Sequence, residues 1–222
     1  MKRIFLLLTF FSFAFSNIVT AQMHHARPGV IAASRGTASA TFDTWNPSDK
    51  DAQMTLSALN YTATGNASSG TYRCMVRSNV GKSTGVVYVE FFMHGSAQSS
   101  STGISPSSEA LDGNVGAGAG YGKGNGVGGH IHNGNNDFVG TECGDGDVLM
   151  MAIDFPNHKI WFGRQGTWDG GGDPATGTGA NYTDLSGTYY LAFSNYNSTG
   201  GCTINTGANV YTVPIGFTYG WH

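Results

Sequence analysis

The sequence predicts an all-β fold, an antiparallel sandwich or barrel of about a dozen short strands. Three observations carry this. Short runs rich in β-branched and aromatic residues recur along the chain, separated by turn signals. No stretch of helix length shows a 3.6-residue apolar period. Glycine is abundant, 34 of 222 residues, and has no collagen repeat, so it reads as many turns in a folded β-protein. Hydrophobic residues make up 40%, enough for a packed core, while charged residues are only 11%, which excludes a charged helical bundle or a disordered tail.

Taken in order, strands are expected at 37–44 (TASATFDT), 54–64 (MTLSALNYTAT), 71–78 (TYRCMVRS), 85–94 (GVVYVEFFMH) and 147–155 (DVLMMAIDF). Further strands are expected at 159–164 (KIWFGR), 188–196 (TYYLAFSNY), 202–207 (CTINTG) and 216–221 (GFTYGW). Turn signals divide them at Trp45-Asn46-Pro47, Gly65-Asn66, Pro156-Asn157 and Gly200-Gly201. Residues 86–93 are apolar on both faces, with Val86, Tyr88 and Phe92 on one and Val87, Val89, Phe91 and Met93 on the other. Such a strand belongs mid-sandwich or under covering loops. Residues 147–163 read as a hairpin turning at Pro156-Asn157, with Trp161 and Phe162 sent to opposite sides.

The stretch 95–146 breaks the pattern. It is polar at first and then glycine-dense, and glycine weakens strands, so close-packed backbone, bulges or long loops are expected there. Its GAGAGYGKG run (116–124) has neither a strand-then-helix setting nor a following G-K-[ST], so it is not read as a nucleotide site.

Residues 1–21 read as an export signal. Lys2 and Arg3 precede the apolar run Ile4–Phe15, and Val19-Thr20-Ala21 offers small residues before a cut ahead of Gln22. The alternative is an uncleaved anchor, but the run is short for a full span and Ser16 and Asn17 interrupt it. Residues 22–39 read as a linker or N-terminal arm, in which the adjacent His24 and His25 are solvated, and 40–222 as the folded domain. The net charge of −3 becomes −5 once Lys2 and Arg3 leave nine basic residues against 14 acidic ones. No basic run exists, which excludes nucleic acid and anionic membrane surfaces as partners. Cys74, Cys143 and Cys202 are an odd count without C-x-x-C spacing, so zinc is not expected. One bridge plus a free thiol, or three free thiols, both fit.

The segment GDGDVLMMAIDFPNHKIWFGRQGTWDGGGDPATGTG (144–179) resembles the SPRY family. The pattern is a Gly-Asp turn (Gly146-Asp147), an apolar strand ending in Asp154, a short turn, and a strand over Lys159–Phe162 leading to a turn with Gly166. Residues 167–177 look like the variant seen in bacterial and phage SPRY-like proteins. Segments 45–65, 76–93 and 213–221 are similar to its first and closing strands. The glycine-dense 95–140 departs from the family pattern. The resemblance implies a two-sheet antiparallel β-sandwich, a concanavalin-like jelly roll, serving as a non-catalytic binding module whose loops contact the partner.

Enzyme chemistry finds little support among the residues. The sequence has three glutamates, Glu90, Glu109 and Glu142, and Glu90 has Tyr88 and Phe92 as same-face neighbours, so the i, i+2 carboxylate pair of a retaining glycosidase is missing. No G-x-S-x-G elbow is present. Glu142, Asp145 and Asp147, and Asp169 with Asp173, have the hard oxygens calcium needs, but Asx turns explain them as well. His130 and His132 share one strand face without completing a metal site. No metal or cofactor is expected. Loop aromatics are the better lead, because Trp and Tyr are common binding anchors. The expected ligand-binding residues are Trp168, Asp169 and Asp173 in the 166–179 loop, with Tyr121 and Tyr196. A second view makes Trp168 a plug over the sandwich edge. The reading is a secreted, cell-surface or virion component that binds a protein partner, or alternatively a glycan as a lectin would. Its ligand and oligomeric state are not legible in the sequence.

Overall fold

The computed structural model describes residues 42–66, 73–95, 100–126, 128–137, 139–196 and 200–222. The export signal expected over 1–21, the arm over 22–39 and most of the strand expected over 37–44 lie outside the described residues. Two sheets face one another. Sheet one runs β1 (Trp45–Lys50), β4 (Arg73–Lys82), β13 (Tyr189–Tyr196), β6 (Ser100–Ser105), β7 (Tyr121–Gly124), β8 (His130–His132) and β9 (Asn135–Asn136). Sheet two runs β12 (Thr167–Trp168), β11 (Lys159–Arg164), β10 (Val148–Asp154), β5 (Val86–His94), β14 (Gly201–Ile204), β3 (Thr62–Gly65) and β2 (Met54–Ser57). A short β15 (Thr218–Tyr219) pairs with β5. Helical structure among the described residues is confined to the 3-10 turns Asp169–Gly171 and Pro174–Thr176. No helix there is long and apolar enough to cross a membrane.

Period-2 alternation builds the core. Val87, Val89, Phe91 and Met93 of β5, Leu149, Met151 and Ile153 of β10, and Ile160 and Phe162 of β11 point between the sheets. They meet Val76 of β4 and Leu191 and Phe193 of β13. Tyr88, Met150, Ala152 and Trp161 alternate to the outer face of sheet two and are buried there as well. Trp161 and Phe162 therefore take opposite sides. The 147–163 hairpin forms as expected, β10 pairing with β11 in register from Leu149–Arg164 to Asp154–Lys159.

Four expectations are corrected. Trp45-Asn46-Pro47 opens the edge strand β1 instead of forming a turn; a register shift between Trp45 and Lys50 accommodates Pro47. Residues 42–44 carry no strand. The run 54–64 splits into β2 and β3 around a tight turn with Ala58, Leu59 and Asn60 in the left-handed region. The stretch 95–146, expected as close-packed backbone, bulges or long loops, carries four strands, β6 to β9. Glycine works there because backbone approaches backbone: a Cβ on Gly103 would lie 2.0 Å from the Tyr121 carbonyl oxygen. β15 is an exception to antiparallel pairing, running parallel to β5.

Cys74, Cys143 and Cys202 are buried and free, so the alternative with one bridge is not formed.

Candidate functional site

The chain beyond β14 leaves sheet two at Asn205 and returns at β15, crossing the outer face of β5, β10 and β11. Glu90 on β5 decides its path. This carboxylate is 0% exposed. Its Oε2 accepts the Asn205 side-chain amide at 2.9 Å and the Val210 backbone N–H at 2.7 Å. Its Oε1 accepts the Tyr211 N–H at 2.8 Å and the Tyr88 hydroxyl at 2.7 Å. Burial, then the Glu90 bond and charge, push the Tyr88 phenol above its ordinary range, so it stays a donor.

The pinned segment lays aromatics over the buried outer cluster. Tyr211, Val213, Phe217 and Tyr219 pack there half-buried, beside Trp168 of β12. Trp168 meets Tyr88 edge-on at 6.1 Å and 72°, and Phe217 meets Trp161 at 6.1 Å and 82°. The Tyr211 ring lies over Gly166, whose φ is +82° and where a Cβ would come within 2.9 Å of Tyr211 Cδ1, a position that favours glycine. The Tyr211 hydroxyl donates to Gln165 Oε1 at 2.7 Å. The product is one aromatic surface with a polar rim at Gln165.

Asp169, next to Trp168, turns the other way. It is 6% exposed and accepts from the Lys123 ammonium on β7, while the His130 Nε2 on β8 lies 3.0 Å from the same oxygen. Its other oxygen faces the Thr141 N–H at 3.3 Å. The His130 Nδ1 lies 2.9 Å from Asp137 Oδ2. Burial acts to raise the Asp169 carboxyl, but the bond from His130 and the Lys123 charge outweigh it and hold it below the usual carboxylate range. Asp137 is likewise lowered, burial being outweighed by its bonds from His130. Asp169 thus ties the loop after β12 in sheet two to two strands of sheet one.

The remaining expected residues are dispersed. Asp173 caps the turn Pro174–Thr176, accepting the Ala175 N–H at 3.0 Å and the Thr176 hydroxyl at 3.0 Å. Trp168 therefore stands on the outer aromatic face, while Asp169 ties the loop to sheet one and Asp173 caps a turn within it. Tyr121 opens β7 and is 2% exposed, its ring stacked on His132 at 4.0 Å and its hydroxyl donating to Asp184. Tyr196 ends β13, half-buried, with the Arg73 guanidinium 5.1 Å from its ring centre. Asp147 pairs with Arg164 through both oxygens at 2.7 and 3.0 Å, and Asp145 accepts the Gly95 N–H at 2.7 Å. Among the described residues no three His, Cys, Asp or Glu side chains group around a metal position. Sequence reasoning missed Tyr211, Phe217, Tyr219 and Gln165. The aromatic spacing of VYTVPIGFTYGW was the available signal, but it also reads as a closing strand.

No protein-family pattern matches this chain, and no curated protein sequence does so significantly. Solved structures do. The chain is similar to the SPRY domain of human HERC1, with a TM-score of 0.58 and 15% identity over 72% of this chain and 96% of that one. It is similar to a human SPRY domain, with a TM-score of 0.55 and 14% identity over 71% of this chain and 98% of that one. Stonustoxin shares the fold at a TM-score of 0.55 and 17% identity, over 74% of this chain and 27% of that one. At such identities the likeness shows the fold. The chain is a SPRY-like β-sandwich, the class its 144–179 segment resembles.

Proposed function

We propose that this chain is an exported, non-catalytic binding module, a surface or virion component, that recognises a protein partner through the aromatic outer face of sheet two. Trp168 and Tyr211 are its anchors. The observation carrying this reading is the contiguous set of half-buried rings, Trp168, Tyr211, Phe217 and Tyr219, held over a buried aromatic floor. Rigid aromatics with one face packed and one face open lose little entropy on binding and dominate interface energetics. Their attachment through Glu90 and Gly166 preorganises the face, which lowers the cost of association. Asp169 and Asp173 act as positioning residues that set the path of the loop after Trp168. Tyr121 and Tyr196, on sheet one, stand apart from this face. The SPRY-like fold supports a binding role, and the Glu90 carboxylate is committed to four donors.

The test is capture from cell-surface extract by the parent chain and by Trp168→Ala and Tyr211→Ala variants, with and without prior glycosidase treatment. Capture that survives glycosidase and is lost in both variants supports the reading. Capture abolished by glycosidase replaces the protein partner with a glycan.

A further inference from the structure

A second feature lies on the opposite sheet. The β6–β7 connection, residues 106–120, folds over the outer face of sheet one. It is tethered where the Met75 N–H donates to the Leu111 carbonyl at 2.8 Å and the Val115 N–H to Ser194 Oγ at 3.0 Å. Val115 and Leu111 pack there on Met75 and Ala192. The loop encloses an open cavity of about 330 Å³. Pro106, Ala110, Ala117 and Ala119 give it small apolar walls, and Glu109 and Ser108 are polar members of its lining. Its volume falls at the lower end of the roughly 300–1,000 Å³ of small-ligand sites.

Among the described residues Glu109 is the one ionisable side chain lining it. Its Oε1 accepts the Gly118 N–H at 2.7 Å and its Oε2 the Ser105 hydroxyl at 2.7 Å. Gly118 is itself part of the lining, which sets the carboxylate at the cavity wall. A Cβ on Gly118 would meet Oε1 at 3.3 Å, and one on Gly120 would meet Oε2 at 2.5 Å. Glycine at these two positions lets the carboxylate pack directly against their backbone. An ionised carboxylate has about four acceptor positions, and two are taken. Behind the wall Arg77 donates to the Glu109 and Pro106 carbonyls, but its charge is paired with Asp49 through two bonds at 2.9 and 2.8 Å. Asp112 lies in the same loop and is exposed. The local balance is therefore negative, around a cavity with aliphatic walls.

We propose that this cavity receives a lysine side chain of a protein partner. The methylene stem fits the Pro106 and alanine walls, and the ammonium reaches the free acceptor positions of Glu109. A lysine ammonium is a compact point donor at the end of a four-carbon stem, and each Glu109 oxygen keeps an acceptor position for it. The proposal rests on the protein-binding reading only for the source of the lysine.

The test therefore uses a small probe. Nα-acetyl-lysine amide and its uncharged analogue Nα-acetyl-norleucine amide are titrated into the ¹⁵N-labelled chain, and amide shifts are followed by NMR. Saturable shifts at Ala110, Gly118 and Ala119 with the lysine probe, and none with norleucine, support the pocket. Glu109→Gln weakens that binding by about tenfold or more, as loss of a charge-assisted bond requires. Ala119→Leu fills the cavity without touching Glu109 and abolishes binding while the remaining spectrum is preserved. Equal shifts with both probes, none with lysine, or unchanged affinity in Glu109→Gln overturn the proposal. Any of these leaves the Trp168 face to be judged by its own capture experiment.

Discussion

The Glu90 carboxylate accepts the backbone N–H of Tyr211 at 2.8 Å across 121 positions of sequence. This bond joins a central strand to the segment that makes the aromatic face. A buried carboxylate is costly to desolvate, and its compensation comes from four donors, three of them on the 205–211 segment.

Glu90→Ala is therefore expected to destabilise the domain by about 3 kcal/mol or more, since the donors around Glu90 lose their acceptor. Glu90→Gln keeps the shape and costs less, about 1–3 kcal/mol. Urea unfolding measures both, and enhanced quenching of Trp168 fluorescence in the alanine variant reports release of the segment.

Trp168 separates binding from packing. Half-buried against Tyr88, its loss in Trp168→Ala costs less than the roughly 3–5 kcal/mol of a fully buried tryptophan. At the partner interface the same change costs about 2 kcal/mol or more. Thermal melting and affinity measured on one preparation test this. A large drop in melting with unchanged affinity makes Trp168 a plug and removes it from the site.

Asp169 and Asp137 give the fold an acid limit. Both carboxyls are held below their ordinary range in the folded chain, so the unfolded chain binds protons more readily. Their contribution is present above the unfolded value of about 3.9 and is lost as the pH falls through the lower folded values. Denaturation curves from pH 6 to pH 2 should show stability falling steeply below about pH 4. Asp169→Asn flattens that fall and lowers stability by about 3–5 kcal/mol near neutrality, because Lys123 is left buried without its counter-charge.

The three thiols should be silent in the native protein. Burial pushes Cys74 up to about 11 and Cys143 up to about 12, and raises Cys202 as well. Iodoacetamide at pH 8 is expected to leave the folded chain unmodified and to add three groups after denaturation without reductant, read by intact mass.

Export is tested in the same instrument. Protein recovered from the producing cell should begin at Gln22, with residues 1–21 removed. A mass that retains them favours an N-terminal anchor.

Local pattern along the chain was enough to specify an antiparallel β-fold, sandwich or barrel, and the side of its strands that turns inward. The period-2 alternation of Leu149, Met151 and Ile153 against Met150 and Ala152 is local, as is the Pro156-Asn157 turn, and together they specify a hairpin with one side in the core. The resemblance of 144–179 extended that to the family fold. Tertiary structure alone decided the rest. Trp45-Asn46-Pro47 carries turn chemistry, but an edge position with a register shift makes it strand. Asp169 carries the composition of a loop acceptor, yet Lys123, 46 residues earlier, draws it inward. The glycine-dense stretch reads as close-packed backbone, bulges or long loops because glycine has weak intrinsic strand preference, and backbone contact such as Gly103 against Tyr121 selects it for β6 and β7. Periodicity registers only what neighbours along the chain impose, whereas the partner of a buried charge or of a glycine face is supplied by distant segments, and only folding brings them together.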